Sequence, residues 1–209
     1  MMKTIMLDVD GVLISGRPSD GKHWTTSLEA DLGILPADLK LHFFAKYWAA
    51  IQLGNAELMP SLGDALKNIN SDVSAEQLAD YWFINDSRID QSVLEACQKL
   101  RADGHAVWLA TNQDHERAAY IMSDLGLSAH VDGMIYSAAL GVKKPDPAFF
   151  KTAEKLAGAD AVNIIFIDDT MLNVEAARDC GWQALHWDNA NRGDPSSQEL
   201  LDLVHQCRV

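Results

Sequence analysis

Cysteine and basic residues are both scarce in this 209-residue sequence. The 3 cysteines, Cys97, Cys180 and Cys207, lie far apart and are odd in number. They form no disulfide framework and show no zinc-ligand spacing. The 7 histidines contain no His-x-x-x-His pair. Lys and Arg total 17 against 30 Asp and Glu, which gives a formal net charge of -13 and a pI near 4.7. Nucleic acid and anionic membrane surfaces both require a basic patch, so neither is expected as a partner. A small anionic substrate stays compatible, because a bound divalent cation inverts the local field. No segment approaches a membrane span, and the first apolar stretch is broken by Asp8 and Asp10, unlike a signal peptide. A reducing cytoplasm is the expected compartment, and a monomer or weak homodimer the expected state.

At 48% hydrophobic and 22% charged, the chain has enough apolar residues for a full core. Its C-terminal part alternates between two periodicities. Helices are predicted over 91–103, 114–125, 147–157, 171–180 and 197–206. Gly104, Gly126 and Gly181 act as stops, and Asp146 and Pro147 form a start. Short apolar runs between them read as strands: 105–110 (HAVWLA), 134–136, 162–167 (VNIIFI) and 183–187. Alternation of this kind implies right-handed crossovers and a parallel sheet covered on both faces, an α/β fold of the Rossmann-like type.

The region 23–83 differs, with no convincing strand. Leu39, Phe43, Tyr47, Trp48 and Ile51 recur at helical spacing, and Ser74 to Gln77 forms a capping box before Leu78, Tyr81 and Trp82. Residues 15–88 therefore read as an inserted, small α-helical cap domain, with 1–14 and 89–209 forming the core. Its aromatic stripe is expected to be packing.

The chemistry-bearing residues fall at strand ends. The segment Ile5 to Val12 carries Asp8 and Asp10 to a glycine, and a strand would point both carboxylates to one face. Two adjacent negative charges are costly unless a cation or a reaction needs them. The HAVWLA run ends in Thr111-Asn112, and VNIIFI ends in Asp168-Asp169. The loop after Tyr136 holds Lys143, Lys144, Pro145, Asp146 and Pro147. Singly these read as an N-cap, a surface charge and a helix-start pair. Together they mark the edge where ligands bind in open parallel sheets.

The ordered set DVDGV, apolar-ATN, KKPDP and apolar-IDD resembles the haloacid dehalogenase-like superfamily, over the whole core. The early insertion resembles that family's helical cap. The string from Phe166 to Trp182 is similar to sugar-phosphate phosphatases and the phosphatase domain of epoxide hydrolases. The resemblance implies an aspartyl-phosphate mechanism. Asp8 is the nucleophile and Asp10 the acid and base. Thr111, the Asn112 backbone amide and Lys144 hold the phosphoryl group. Mg2+ sits on Asp8, the Asp10 carbonyl and Asp169, with Asp168 behind them. Lys143 is expected to be solvated. Asp10 argues against a dehalogenase, whose halide leaving group needs no proton. The implied substrate is a small phosphorylated metabolite, a sugar phosphate or nucleotide. A phosphoglucomutase-like phosphotransferase and a non-catalytic binding protein are the alternatives. In or near the cap, Arg17, Lys22, His23, Lys46, Trp48 and Asn85 are candidate substrate contacts, each expected to be surface charge or packing instead.

Overall fold

The computed structural model describes residues 2–187, 200–202 and 204. Five strands form one sheet: β1 (Thr4–Leu7), β2 (Ala106–Thr111), β3 (Gly133–Tyr136), β4 (Ile164–Asp168) and β5 (Gln183–His186). Their order is β3-β2-β1-β4-β5, and every pairing is parallel. From β1 the chain winds outward to β2 and β3, then returns to β4 and β5. The direction of winding therefore reverses between β1 and β4, and ligands of such sheets bind beside that reversal.

Side-chain alternation builds two apolar layers. Ile5 and Leu7 pack with Val93, Cys97, Leu100, Leu109 and Ile121 on one face. Met6 packs with Phe149, Phe150, Phe166 and Val174 on the other. Helices Gln91–Ala102 and His115–Ser123 cover the first face, and Pro147–Ala157 and Met171–Asp179 the second. β1 and β4 are buried along their whole length, so their apolar runs need no polar alternation.

The helix Pro147–Ala157 starts where expected, with Asp146 accepting from the Ala148 amide at 2.8 Å. One strand start differs. Val162 lies in the 3-10 turn Ala161–Asn163, 68% exposed, and β4 begins only at Ile164. An apolar residue just outside a buried strand reads the same as one inside it. The helix expected over 197–206 lies mostly outside the described residues, as does Cys207. Leu200, Leu201 and Val204 are buried against the first layer. No helix among the described residues is long and apolar enough to cross a membrane.

Residues 24–85 are helical and make a separate apolar cluster. Trp24 stacks on Trp82 at 5.2 Å, and Phe43, Phe44 and Trp48 surround that pair. The chain over 36–51 is one continuous helical run whose centre, Lys40–Trp48, winds as a π-helix. Wider winding aligns positions four and five apart, which brings Leu39, Phe43 and Trp48 into one cluster. Helix Ala75–Asn85 starts with the full Ser74–Gln77 capping box. Two short backbone runs lead out of the sheet layer and back. Ser15 donates to the Arg88 carbonyl at 3.0 Å, Arg88 to Gly16 at 3.1 Å, and Asp90 to Leu13 at 2.9 Å.

Candidate active site

The ladder continues one residue past β1, with the Asp8 amide donating to Ile167 at 2.9 Å. The chain then turns sharply. The Val9 carbonyl accepts from Leu13 at 2.9 Å and Ile14 at 2.8 Å. Asp8 and Asp10 still line one cavity, of about 290 Å³. The tight turn, rather than a longer strand, brings them together. Gly11 sits at that turn with φ +83°, and a Cβ there would meet the Asp169 carboxylate at 2.2 Å. Glycine is needed both for the dihedral and for this close approach.

Asp8 has one oxygen held and one open. Oδ1 accepts from its neighbour's amide, Val9 N, at 2.7 Å and lies 3.0 Å from Lys144 Nζ. Oδ2 has no hydrogen-bond partner among the described residues. Burial pushes the Asp8 carboxyl up to about 7, against the pull of Lys144 and with the push of Asp168 and Asp10. The Asp10 side chain is half exposed and lines the cavity. Desolvation raises it to about 6, opposed chiefly by Arg117. The Gln113 amide donates to Asp10 Oδ2.

Lys144 is 2% exposed, not a surface charge. Its ammonium has three hydrogens and three partners: Asp168 Oδ2 at 2.6 Å, the Ala110 carbonyl at 2.8 Å and Asp8 Oδ1 at 3.0 Å. Burial alone would lower its pKa, but Asp8 and Asp168 outweigh that and raise it, so it stays charged. The Asn112 side chain fixes the lysine loop. Its Oδ1 accepts from Lys144 N at 2.8 Å, and its Nδ2 donates to Lys144 O at 3.0 Å.

The two aspartates after β4 have separate surroundings. Asp168 is fully buried, and both its oxygens are engaged by Lys144, the Thr170 amide and the Asn173 side chain. Asp169 faces the cavity with Thr170 and Asn173. One oxygen from each of Asp8, Asp168 and Asp169 lies within 4.8 Å of the others. Such an all-oxygen set suits a hard divalent cation. With Asp168 already occupied by donors, Asp8 and Asp169 are the carboxylates free to bind one. Burial and the neighbouring Asp168 raise the Asp169 carboxyl, as expected of a site short of positive charge.

The helical region reaches the cavity through Gln52. Its Oε1 accepts from Lys143 Nζ at 3.0 Å, so Lys143 is not simply solvated as expected but bridges the two layers. Gly54, with φ +69°, lies so close that a Cβ would meet the Ala138 carbonyl at 2.4 Å. None of the six candidate cap contacts lines the cavity. Arg17 pairs with Asp20 and Ser27, Lys46 lies over Tyr47, and Asn85 donates to the Tyr81 carbonyl.

Thr111, Asn112 and Asp169 line the cavity with Asp8 and Asp10, and Lys144 lies behind Asp8. Gln52, Gln113, Arg117 and Asn173 were not singled out from the sequence. Gln113 adjoins the Thr111-Asn112 pair and could have been suspected. Arg117 and Asn173 each lie about one helical turn beyond a motif, and Gln52 lies far from all of them, so none carries a local signal. Arg117 is 1% exposed, with Nη2 3.8 Å from Asp10 Oδ1.

A model of haloacid dehalogenase-like hydrolases matches residues 2–181. Flavin mononucleotide hydrolase 1 of Arabidopsis thaliana is 30% identical over 147 residues, 63% of this chain and 58% of that one. The chain thus matches little more than half of that relative's length. Phosphoglycolate phosphatase 1 of Pseudomonas aeruginosa is 24% identical over 97% of this chain and 75% of its own. A structure of a family enzyme from Bacteroides thetaiotaomicron has a TM-score of 0.77 at 19% identity, covering 91% of this chain and 95% of that one. The same enzyme is known in complex with magnesium and inorganic phosphate, at a TM-score of 0.72, 18% identity and coverage of 92% and 97%. At these identities the structural likeness establishes a shared fold.

Proposed function

The chain belongs to the haloacid dehalogenase-like hydrolases, and on that premise we propose that it is a Mg2+-dependent phosphatase. It hydrolyses a small phosphorylated metabolite through an acyl phosphate on Asp8. The observation that carries this reading is Asp10. It shares the Asp8 cavity, is raised to about 6 and is held by Gln113. A carboxyl of that pKa both gives and takes a proton near neutrality. A phosphate ester needs such a group, because its alkoxide leaves poorly, and a halide does not.

The open oxygen of Asp8 attacks phosphorus, and the bond from phosphorus to the leaving oxygen breaks. Asp10 gives that oxygen its proton. It then takes one from the water that hydrolyses the acyl phosphate. Once Asp8 is phosphorylated it is a poorer acceptor, and the Lys144 hydrogen it held turns to a phosphoryl oxygen. The Thr111 hydroxyl and the Asn112 backbone amide hold the others. Asp8, the Asp10 carbonyl and Asp169 would hold Mg2+, which would supply the positive charge that lets a ring of carboxylates accept a phosphate dianion.

A cavity of about 290 Å³ is at the small end for ligand sites. The relatives' names span a large leaving group, the flavin nucleoside, and a small one, glycolate. The cavity supports the smaller kind, a polar leaving group of a few carbons beside Gln52.

The test is Asp8→Asn, assayed with Mg2+ on 4-nitrophenyl phosphate. Activity should fall by at least about 10³-fold with the circular dichroism spectrum unchanged. Retained activity would overturn the nucleophile. A panel of phosphomonoesters, read by release of inorganic phosphate, then separates hydrolysis from transfer. A flat kcat/KM profile across the panel would overturn a dedicated small-metabolite enzyme.

A further inference from the structure

Arg117 is a buried cation that the chemistry above does not use. It lies in the first turn of helix His115–Ser123, and its guanidinium reaches three elements at once. Nη1 donates to the Phe83 carbonyl at 3.2 Å, and Nη2 donates to the Asp86 carbonyl. Nη2 also lies 3.7 Å from the Asp86 carboxylate and 3.8 Å from Asp10 Oδ1. The rings of Phe83 and Tyr120 flank the guanidinium at 5.4 and 5.7 Å.

Each contact has a separate meaning. Phe83 is in the last turn of helix Ala75–Asn85, and Asp86 is its C-cap. The final carbonyls of a helix have no partner within it and carry its negative end, so a planar cation satisfies both needs. Two residues on, Arg88 exchanges backbone hydrogen bonds with Ser15 and Gly16, where the helical layer joins the core. On the other side, Asp10 has Gln113 on Oδ2 and Arg117 facing Oδ1. That carboxylate thus has a hydrogen bond from one residue that follows β2 and a cation beside it from another, which also grips the hinge.

We propose that Arg117 is a positioning residue that couples the seating of the helical cap to the placement of Asp10. The inference rests on the reading of Asp10 as the proton donor. While the cap is docked, the guanidinium is anchored by two carbonyls and holds Asp10 towards the leaving oxygen. When the hinge moves, the anchor is lost and Asp10 is free to swing. Protonation of the leaving group is then available only with the cap in place.

The experiment compares kcat/KM for two phosphate esters under Mg2+. Glycerol 3-phosphate leaves as an alkoxide and needs the proton, while 4-nitrophenyl phosphate leaves as a stable phenolate and needs it little. In Arg117→Met the ratio of the first to the second should fall about ten-fold. Arg117→Lys keeps the charge but not the fork, so its ratio should fall about three-fold, and it serves as the test should Arg117→Met not fold. An equal loss on both esters, or an unchanged ratio, would overturn the proposal, since a purely structural role affects both alike. Ser15→Pro, which removes the hinge amide that donates to the Arg88 carbonyl at 3.0 Å, should lower the same ratio on its own and add nothing in the Arg117→Met background. Additive effects would overturn the coupling. A wild-type protein that hydrolyses neither ester nor any member of the panel overturns the phosphatase reading instead.

Discussion

On the sheet side of the cavity, Asp8, Lys144 and Asp168 are more than nine-tenths buried, and every Lys144 hydrogen has a partner. On the cap side, a cluster of aromatic rings stands behind a single amide, Gln52, that meets the cavity. The sheet side holds charge in a dry interior. That is tolerable only when each charge has fixed partners, because a buried ion left alone costs several kcal/mol. The cap side is apolar packing that gives shape and rigidity but little chemistry. Chemistry and stability are therefore coupled on the sheet side, and separable on the cap side.

The largest effect should come from Lys144→Met. It leaves Asp8 and Asp168 facing each other in the interior with no cation. Unfolding in denaturant should show a loss of about 3–5 kcal/mol, and hydrolysis should disappear with it. A stable but inactive variant would break the coupling claimed for the sheet side.

A smaller and cleaner effect belongs to Gln52→Ala. The residue is only partly buried and its side-chain oxygen accepts from Lys143. Stability should move by less than about 0.5 kcal/mol. kcat/KM for a preferred small phosphate should fall by about ten-fold, with little change for 4-nitrophenyl phosphate, a factor worth about 1.4 kcal/mol. Equal losses on both substrates would place Gln52 with the catalytic groups and blur the division.

The same division explains what the sequence made legible. Residues at the ends of Ile5–Leu7, HAVWLA and VNIIFI could be read because an apolar strand followed by polar residues is a local pattern, and a parallel sheet gathers such ends. Lys144 is set apart from Lys143 by the family resemblance, as the lysine directly before Pro145 in the loop after β3. Its burial could not be read, since that depends on Asp168 and the Ala110 carbonyl, both distant in sequence. Lys143 shows the limit from the other side. Its partner Gln52 is 91 residues away, so nothing local separates it from a solvated charge. In the cap, the helices and the aromatic stripe were legible as period and composition. Which polar residue turns to the cavity was not, because that is set by how the 52–55 turn docks on Ala138.

The smallest effect tests the electrostatic half of the comparison. Burial raises the Asp8 and Asp10 carboxyls to about 7 and about 6 in the folded protein, both above the usual carboxylate range. Between pH 4 and 7 the folded protein therefore keeps protons that the unfolded chain has released, and the stability these groups contribute falls as pH rises through that window. A cation on Asp8 and Asp169 reverses this, but it must displace the Asp8 proton, so its affinity weakens about ten-fold per unit below pH 7. At ten times the dissociation constant measured at pH 8, Mg2+ should stabilise by about 1.4 kcal/mol, which is roughly 3–6 °C in Tm for a chain of this size. The same concentration at pH 5.5 should give about 0.2 kcal/mol, a shift near the limit of detection. Asp8→Asn removes a ligand together with its competing proton, so its Tm should respond to Mg2+ weakly at both pH values. A Mg2+ shift in the wild type that is as large at pH 5.5 as at pH 8 would mean that the cation binds elsewhere. The buried carboxylates of the sheet side would then have to be stabilised by the protein alone.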